Sequence, residues 1–330
     1  MSTLQDLIQP EQFVDYIQEN SILRSALFQS GAVVTSDLIQ SKASSGGVSV
    51  TIPVWKDLED TDPNLSSDNI ASRATPHGVK AVEMKTRIAN LNNGWSSIDL
   101  ANELSGTNAS NMIRGRINSY WTRVFNKRTV STLKGILAES VANHNGDMLQ
   151  DGSAAPWNYD LVVDAAVGLS ENLDQMRTLV VHPDVFGKIC KDAKGNGELK
   201  LEYRRIEELN MVIPVYGGLA VQVDSTVPVD TSGATPVYTS IVLGDGAVAA
   251  AMGKPLNPLA VSRDEASADG GGSEAVWSRV SPIIHPFGYD WNDINVAGQS
   301  PTNAELEDAA NWTRRFEREN VPVAFITSQV

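Results

Sequence analysis

Two alternating segments joined by a long polar connection constrain this chain more than any other feature. Between Val48 and Trp55 apolar and polar residues alternate with period two, and a second alternating run ends at Ile88. The side chains predicted to share an apolar face are Val48, Val50, Ile52 and Val54 in the first run and Val82, Met84, Thr86 and Ile88 in the second. The connection between them is acidic, and loops longer than about 15 residues are uncommon inside a compact domain. We therefore predict a hairpin that projects from its own domain and, because an isolated hairpin is marginally stable, rests on another surface.

A long amphipathic helix is predicted from Ala109 to Asn143. Apolar residues recur there at steps of three and four, proline is absent, and only Gly115 and Gly135 weaken the helical propensity. At about 1.5 Å per residue, such a helix is a rod of roughly 50 Å.

The charge of this helix is strongly unbalanced. Its basic residues are Arg114, Arg116, Arg123, Lys127, Arg128 and Lys134, and its one acidic residue is Glu139. A solvated helix face and a face that lies near a polyanion are both compatible with this pattern.

From Pro156 onwards, short apolar runs separated by turns indicate an α/β region. The predicted helices are Leu161–Leu173 and the segment that begins at His182-Pro183, and the predicted strands are Thr178–Val181, Val212–Val215, Leu219–Val223 and Ile241–Leu243. A strand is also predicted from Val276 to His285. The segment after Thr302 contains a helix pattern and a predicted strand, VPVAFIT.

Composition excludes several classes of protein. The chain has 26 basic and 40 acidic residues and a formal net charge of −14, which argues against a protein that grips DNA or an anionic membrane through its whole surface. Its single cysteine, Cys190, excludes an intrachain disulfide. The first residues lack the basic and apolar regions of a secretory signal, and no stretch approaches a membrane span. We expect a soluble protein of a reducing cytoplasm.

No catalytic, cofactor-binding or metal-binding residues are predicted. His77, His144, His182 and His285 show no metal-ligand spacing, so satisfied structural histidines are expected. Cys190 follows Ile189 on an apolar helix face and is expected to be a core residue. The glycine clusters at 244–246 and 269–272 match neither a phosphate-binding loop nor a dinucleotide fingerprint. The pattern therefore favours architecture over catalysis.

Five segments, in order, resemble the major capsid proteins of tailed bacteriophages, the phage coat protein family with the HK97-type fold. They are SALFQSGAVVTSD, GGVSVTIPVWKDLEDTDPNLSSDN, INSYWTRVFNKRTVSTLKGIL, VVHPDVFGKI and IIHPFGYDW, and they span roughly residues 20–295. The resemblance implies an α+β fold with an N-terminal arm, an extended hairpin called the E-loop, a peripheral (P) domain with a long spine helix, and an axial (A) domain.

The resemblance also implies where these parts fall in this chain. The N-terminal arm corresponds to residues 1–30, the E-loop to 47–90, the discontinuous P domain to 31–46, 91–155 and 276–300, the A domain to 156–275, and a C-terminal tail to 301–330. The tail has no place in the expected core fold, so we expect it to clasp a neighbouring subunit.

The function implied is a coat protein that assembles, as hexamers and pentamers, into the icosahedral head shell around the double-stranded DNA genome. The E-loop lies across a neighbouring subunit in this family, which would explain an unpaired hairpin tip. The inter-subunit residues expected on this basis are Val48, Val50, Ile52, Val54, Trp55, Val82, Met84 and Ile88. Residues expected to face the lumen and contact DNA non-specifically are Arg114, Arg116, Arg123, Lys127 and Arg128.

The further partners implied are a scaffolding protein, a portal and a decoration protein, with no membrane and no cofactor. We expect assembly in the host bacterial cytoplasm and a final location in the virion. Lys56, Lys80 and Lys85 lie where some members form a covalent cross-link, but nothing in the sequence selects one, so no cross-link is assumed.

Two alternatives remain open at the level of sequence. An encapsulin-type nanocompartment shell would share the fold but would enclose cargo instead of DNA. A cytoplasmic α/β enzyme that dimerises through the hairpin belongs to another class, and the lack of a catalytic constellation weighs against it.

Overall fold

The structure is a computed structural model. It describes residues 32–330 except 36–38, 41–46, 57, 59, 60, 67, 70, 72, 100–108, 170, 171, 173, 174, 196–200, 207–210 and 254. The predicted N-terminal arm, residues 1–30, lies outside the described residues.

Strands outnumber helices among the described elements. In chain order, the strands are β1 Val33–Thr35, β2 Ser49–Trp55, β3 Ala81–Arg87, β4 Leu91–Ile98, β5 Leu149–Pro156, β6 Met176–Val181, β7 Leu201–Ile206, β8 Met211–Tyr216, β9 Leu219–Val223, β10 Val229–Asp230, β11 Val237–Gly244, β12 Val248–Gly253, β13 Leu259–Asp264, β14 Ser273–Pro286, β15 Tyr289–Trp291, β16 Trp312–Arg314 and β17 Val323–Gln329. The helices are α1 Ala109–Asn143, α2 Asp160–Val167, α3 Pro183–Gly195 and α4 Asn303–Glu307, with a single turn at Ser267–Gly270 and 3-10 turns at Ala309–Asn311 and Arg318–Asn320.

The long helix α1 has the predicted bounds. Its buried stripe includes Ile117, Trp121, Leu133 and Ile136, which recur at helical spacing. Beyond its last turn, Asn145 and Gly146 have positive φ, and the Gly146 amide donates to the Ser140 carbonyl. A left-handed turn of this kind is a common way to end a helix. No helix in the described part of the chain is long and apolar enough to cross a membrane.

The first sheet lies under α1. Among the described residues its strand order is β1-β12-β14-β13, with β4 also paired to β14. The side chains of Ile117, Trp121 and Phe125 pack against apolar residues of β12, β13 and β14. The strand predicted from Val276 to His285 lies within β14, which is therefore the central strand of the layer that faces the helix.

The second sheet has the order β5-β17-β11-β6-β9-β8-β7, with β10 beside β11, in the residues that the structure describes. Helices α2 and α3 pack on it through a core that includes Val162, Val185 and Ile189. The four strands predicted in this region are present. The first predicted helix is shorter than expected: α2 ends at Val167, where Gly168 follows.

The C-terminal segment corrects the sequence interpretation. β17 lies between β11, to which it is antiparallel, and β5, to which it is parallel. Val323, Ala324, Phe325 and Ile326 are at most 1% exposed. A strand paired on both sides and buried on both faces has a nearly continuous apolar sequence, as in VPVAFIT. The segment 301–330 is therefore part of the chain's own core, which corrects the expectation that it has no place in the core fold.

The segment 248–264 also differs from the expected division of the chain. The expected A domain, 156–275, includes β12 and β13, but both strands lie in the first sheet. Met252 and Leu259 are buried against α1, which explains why these strands join the sheet beneath that helix.

Candidate functional site

The predicted hairpin is formed by β2 and β3. The two strands are antiparallel, and their register runs from Ser49 opposite Arg87 to Trp55 opposite Ala81. The Lys56 amide donates to the Lys80 carbonyl at 2.9 Å, which closes the paired region just beyond the strands.

The inner face of the hairpin packs on its own chain. Val50, Ile52, Met84 and Ile88 are between 2% and 9% exposed. Val50, Ile52 and Ile88 join a cluster with residues of β12 and β14 in the first sheet. Because these four side chains are already buried within their own chain, they do not form the inter-subunit surface predicted for them. The hairpin therefore rests on its own domain, which supplies the support that an isolated hairpin lacks.

The outer end of the hairpin, by contrast, is uncovered. Every described residue between Lys56 and Lys80 is exposed, including the acidic Asp62 and Asp68. Four large apolar side chains form what we call the hairpin tip: Trp55, Leu58, Leu65 and Val79, with exposures of 73%, 72%, 93% and 59%. Of the other predicted contact residues, Val48 is exposed and Val54 and Val82 are half-buried. A concentration of exposed apolar side chains on one projection indicates an interaction site.

Charged side chains fix the base of the hairpin to the segment after β15. The Lys85 ammonium and the Arg87 guanidinium contact the two oxygens of Asp293 at 2.9 and 2.6 Å. The Lys85 amide donates to Asp290, whose other oxygen pairs with Arg315 at 2.6 Å. Burial raises the pKa of Asp293, but hydrogen bonds from Lys85 and Trp291 and the charge of Arg87 outweigh it, so the net pKa is lowered. Asp293 is therefore ionised when it pairs with Lys85 and Arg87 at the base of the hairpin.

The basic residues of α1 divide into two groups. Arg116, Arg123 and Lys127 are exposed, which leaves them available to a polyanion. The side chain of Arg114 lies outside the described part of the structure. Arg128 is 6% exposed, and its guanidinium donates to the Pro301 carbonyl at 2.9 Å and to Asn303 Oδ1 at 3.4 Å. Arg128 is therefore removed from the predicted lumen-facing set, because the C-terminal segment covers it.

The C-terminal segment crosses α1 in a way that sequence reasoning missed. Gly135 lies directly beneath the Leu306 carbonyl and the Trp312 indole, where a Cβ atom would overlap both. Lys134 and Ser131 bind the two oxygens of Glu307 at 2.9 Å each. The available signal was the helix start Thr302-x-x-Glu305, which forms a capping box.

Among the described residues, no group of three or more His, Cys, Asp or Glu side chains could hold a metal ion. Cys190 is partly buried on α3. His285 was expected to be a satisfied structural histidine, but neither ring nitrogen has a hydrogen-bond partner in the part of the chain that is described. Burial lowers its pKa to about 4, so it is neutral at physiological pH.

Comparison with known proteins found a relative by sequence. The chain is 27% identical, over 323 residues, to the major capsid protein of Bacillus phage SPP1, with 97% of this chain and 96% of the relative covered. No family model matches.

Comparison of folds found phage capsid structures that share the fold of this chain. The capsid of Ralstonia phage GP4 superimposes with a TM-score of 0.60 at 14% identity, covering 93% of this chain and 92% of that one. The capsid protein of cyanophage Pam1 superimposes with a TM-score of 0.58 at 12% identity, covering 93% of both chains.

Proposed function

We propose that this chain, a homologue of phage major capsid proteins with the HK97-type capsid fold, encloses a double-stranded DNA genome in the shell that it forms with copies of itself. The predicted fold, α+β of the HK97 type, is confirmed, and so is the prediction of a structural capsid protein instead of an enzyme. Its place is the capsid of the virion. The observation that carries the proposal is the sequence likeness to a major capsid protein along 97% of the chain.

The hairpin tip supplies the contact to a neighbouring subunit in this proposal. Trp55, Leu58, Leu65 and Val79 expose a large apolar area that the described chain does not cover. A contact of about −4 kcal/mol corresponds to a millimolar affinity, which is weak for an isolated pair. A subunit held by several such contacts in a closed shell of hexamers and pentamers is retained far more strongly than any one contact implies.

The exposed basic face of α1 is proposed to line the lumen. Arg116, Arg123 and Lys127 would contact packaged DNA through its phosphates, without regard to sequence. The overall charge of −14 is compatible with this role, because DNA confined by a wall does not have to be bound tightly. Assembly in the host cytoplasm with a scaffolding protein, a portal and a decoration protein belongs to the same proposal.

The test of the shell is deletion of residues 57–76 in the full chain. The variant should remain a folded subunit, because the deleted residues that are described are exposed, but it should not form shells. Size-exclusion chromatography and electron microscopy of the wild type and the variant, each with its scaffolding partner, measure this. Normal shells from the variant would overturn the assignment of the tip, and a wild type that stays a small oligomer would overturn the shell itself.

The test of the DNA contact is charge reversal of Arg116, Arg123 and Lys127 to glutamate. The variant should form shells of normal size whose packaged genome is shortened or lost, as measured by DNA length in purified particles. Full-length genomes in these particles would remove the basic face from the proposal. Native particles without DNA would favour the nanocompartment alternative.

A further inference from the structure

A cavity of about 20 Å³ lies where the base of the hairpin, α1, β14 and the C-terminal segment meet. Its lining includes Thr86, Arg87, Arg128, Thr132, Pro282 and Trp312. A cavity of about 10 to 15 Å³ holds one water molecule, so the space fits one or two atoms of that size. The cavity is therefore large enough for a monatomic ion and too small for a phosphate or sulfate.

The Arg128 guanidinium brings an uncompensated charge to this cavity. It is 6% exposed, and its acceptors are a backbone carbonyl and a side-chain amide oxygen, neither of which carries a charge. No carboxylate of the described residues forms an ion pair with it. Burial lowers its pKa to about 10, so it still carries its charge at neutral pH. A buried charge of this kind is costly unless a counter-charge accompanies it.

The Thr132 hydroxyl is a second polar group in the lining of this cavity. It lies one turn after Arg128 on α1, the residue is 0% exposed, and its oxygen has no hydrogen-bond partner in the described part of the chain. A hydroxyl supplies one O–H donor, and a guanidinium supplies five N–H donors, of which Arg128 uses few. The spare N–H donors of Arg128 and the unpartnered Thr132 hydroxyl thus belong to two residues that line the same cavity.

The neighbouring carboxylates are already committed to other cations. Lys85 and Arg87 share Asp293, Arg315 takes Asp290, and Lys134 takes Glu307. Arg128 is thus left without a carboxylate partner among the described residues.

We propose that this cavity binds one monatomic anion, chloride under ordinary conditions, between the Arg128 guanidinium and the Thr132 hydroxyl. The ion supplies the missing counter-charge and accepts from a spare Arg128 N–H and from the Thr132 hydroxyl. It joins α1 to the base of the hairpin and to the C-terminal segment, so its loss loosens the point where these three parts meet.

Thermal unfolding of the unassembled full-length subunit tests the site. In sodium chloride mixed with sodium gluconate at constant ionic strength, the wild-type Tm should rise by about 2 °C per tenfold increase in chloride once the site begins to fill. Arg128→Met should lose this dependence, and the nearly isosteric Thr132→Val should weaken it while keeping the fold. Lys127→Met, which removes an exposed cation next to Arg128 in sequence, is the matched control and should keep the dependence of the wild type.

Bromide locates the ion directly. Crystals grown or soaked in sodium bromide should show an anomalous peak within hydrogen-bonding distance of Arg128, and Thr132→Val should reduce its occupancy. If the cavity shows only water density and no peak, or if chloride affects the wild type and Arg128→Met equally, the site holds water only and the proposal is overturned. If Arg128→Met does not fold, the comparison of Thr132→Val with the wild type decides the question.

Discussion

Gly135 shows how a single residue sets the approach of two elements. It lies in the middle of α1, where glycine normally costs about 1 kcal/mol relative to alanine. Its missing side chain is the space occupied by the Leu306 carbonyl and the Trp312 indole. Glycine is therefore needed at this position, despite its low helix propensity, because the C-terminal segment passes close to the helix backbone.

Gly135→Ala should reduce the free energy of unfolding by about 1 to 3 kcal/mol, since a backbone carbonyl must move to admit the methyl group. Gly115 on the same helix is exposed, and a Cβ there would meet nothing within 4 Å. Gly115→Ala is thus the matched control, and it should increase stability by up to about 1 kcal/mol. Urea titration of the unassembled subunit measures both variants. Equal effects of the two substitutions would contradict the close contact.

His285 gives the folded subunit a defined acid sensitivity. Its pKa is about 4 in the folded chain because of burial, below the ordinary value of 6.5. The unfolded chain therefore takes up a proton in this window that the folded chain does not, so stability is fully present above pH 6.5 and is lost as the pH falls towards 4. Between pH 7 and pH 5 the loss from this group is about 2 kcal/mol.

His285→Phe should remove that part of the pH dependence. Urea titrations at pH 7, 6 and 5 should show a smaller decrease in the free energy of unfolding for this variant than for the wild type. His77→Gln, which changes an exposed histidine in the hairpin connection, is the control and should follow the wild type. If His285→Phe also follows the wild type, then His285 is not the source of the slope.

At the scale of elements, period and length were the informative signals. The 35 residues of α1 and the pairing of β2 with β3 could be predicted because each depends on local periodicity. The surface against which each element packs could not be predicted in this way. The apolar face of the hairpin was equally suited to a neighbouring copy and to its own sheet, and only the position of β12 and β14 decides for the sheet. The place of β17 depends in the same way on contacts distant in sequence, since it pairs with β5 and β11.

The base of the hairpin is an element whose hold can be weakened without touching its core. Asp293→Asn removes the carboxylate shared by Lys85 and Arg87, so β2 and β3 should open more often. Because these groups are partly exposed, we expect a loss of about 1 kcal/mol, seen as a several-fold faster amide hydrogen exchange in both strands. Asp245→Asn breaks an ion pair with Arg177 in which both side chains are more than half exposed, and it serves as the control. Identical exchange in the two variants would mean that the pair does not hold the hairpin.

At the scale of the molecule, the residues needed for folding and the residues available for assembly lie in different parts of the chain. The packed faces of the two sheets and of α1 form the buried core, and the C-terminal segment completes both the second sheet and the cover of α1. The hairpin tip and the exposed basic residues of α1 contribute little to that core. Deletion of the hairpin tip should therefore leave a folded subunit that does not assemble, whereas deletion of the C-terminal strand should prevent folding.

Removal of residues 323–330 should abolish folding, because it deletes a strand with partners on both sides and four side chains that are at most 1% exposed. A domain is usually stable by only about 5 to 15 kcal/mol. Because the second sheet cannot close without this strand, we expect the cooperative unfolding transition to be lost, and cooperativity is the decisive measurement. Near-ultraviolet circular dichroism and thermal unfolding should show no native transition in this variant. Removal of Val330 alone, which is 49% exposed, should leave both unchanged. A soluble, cooperatively folded subunit without residues 323–330 that failed only in shell formation would instead restore the interpretation of this segment as a clasp on a neighbouring copy.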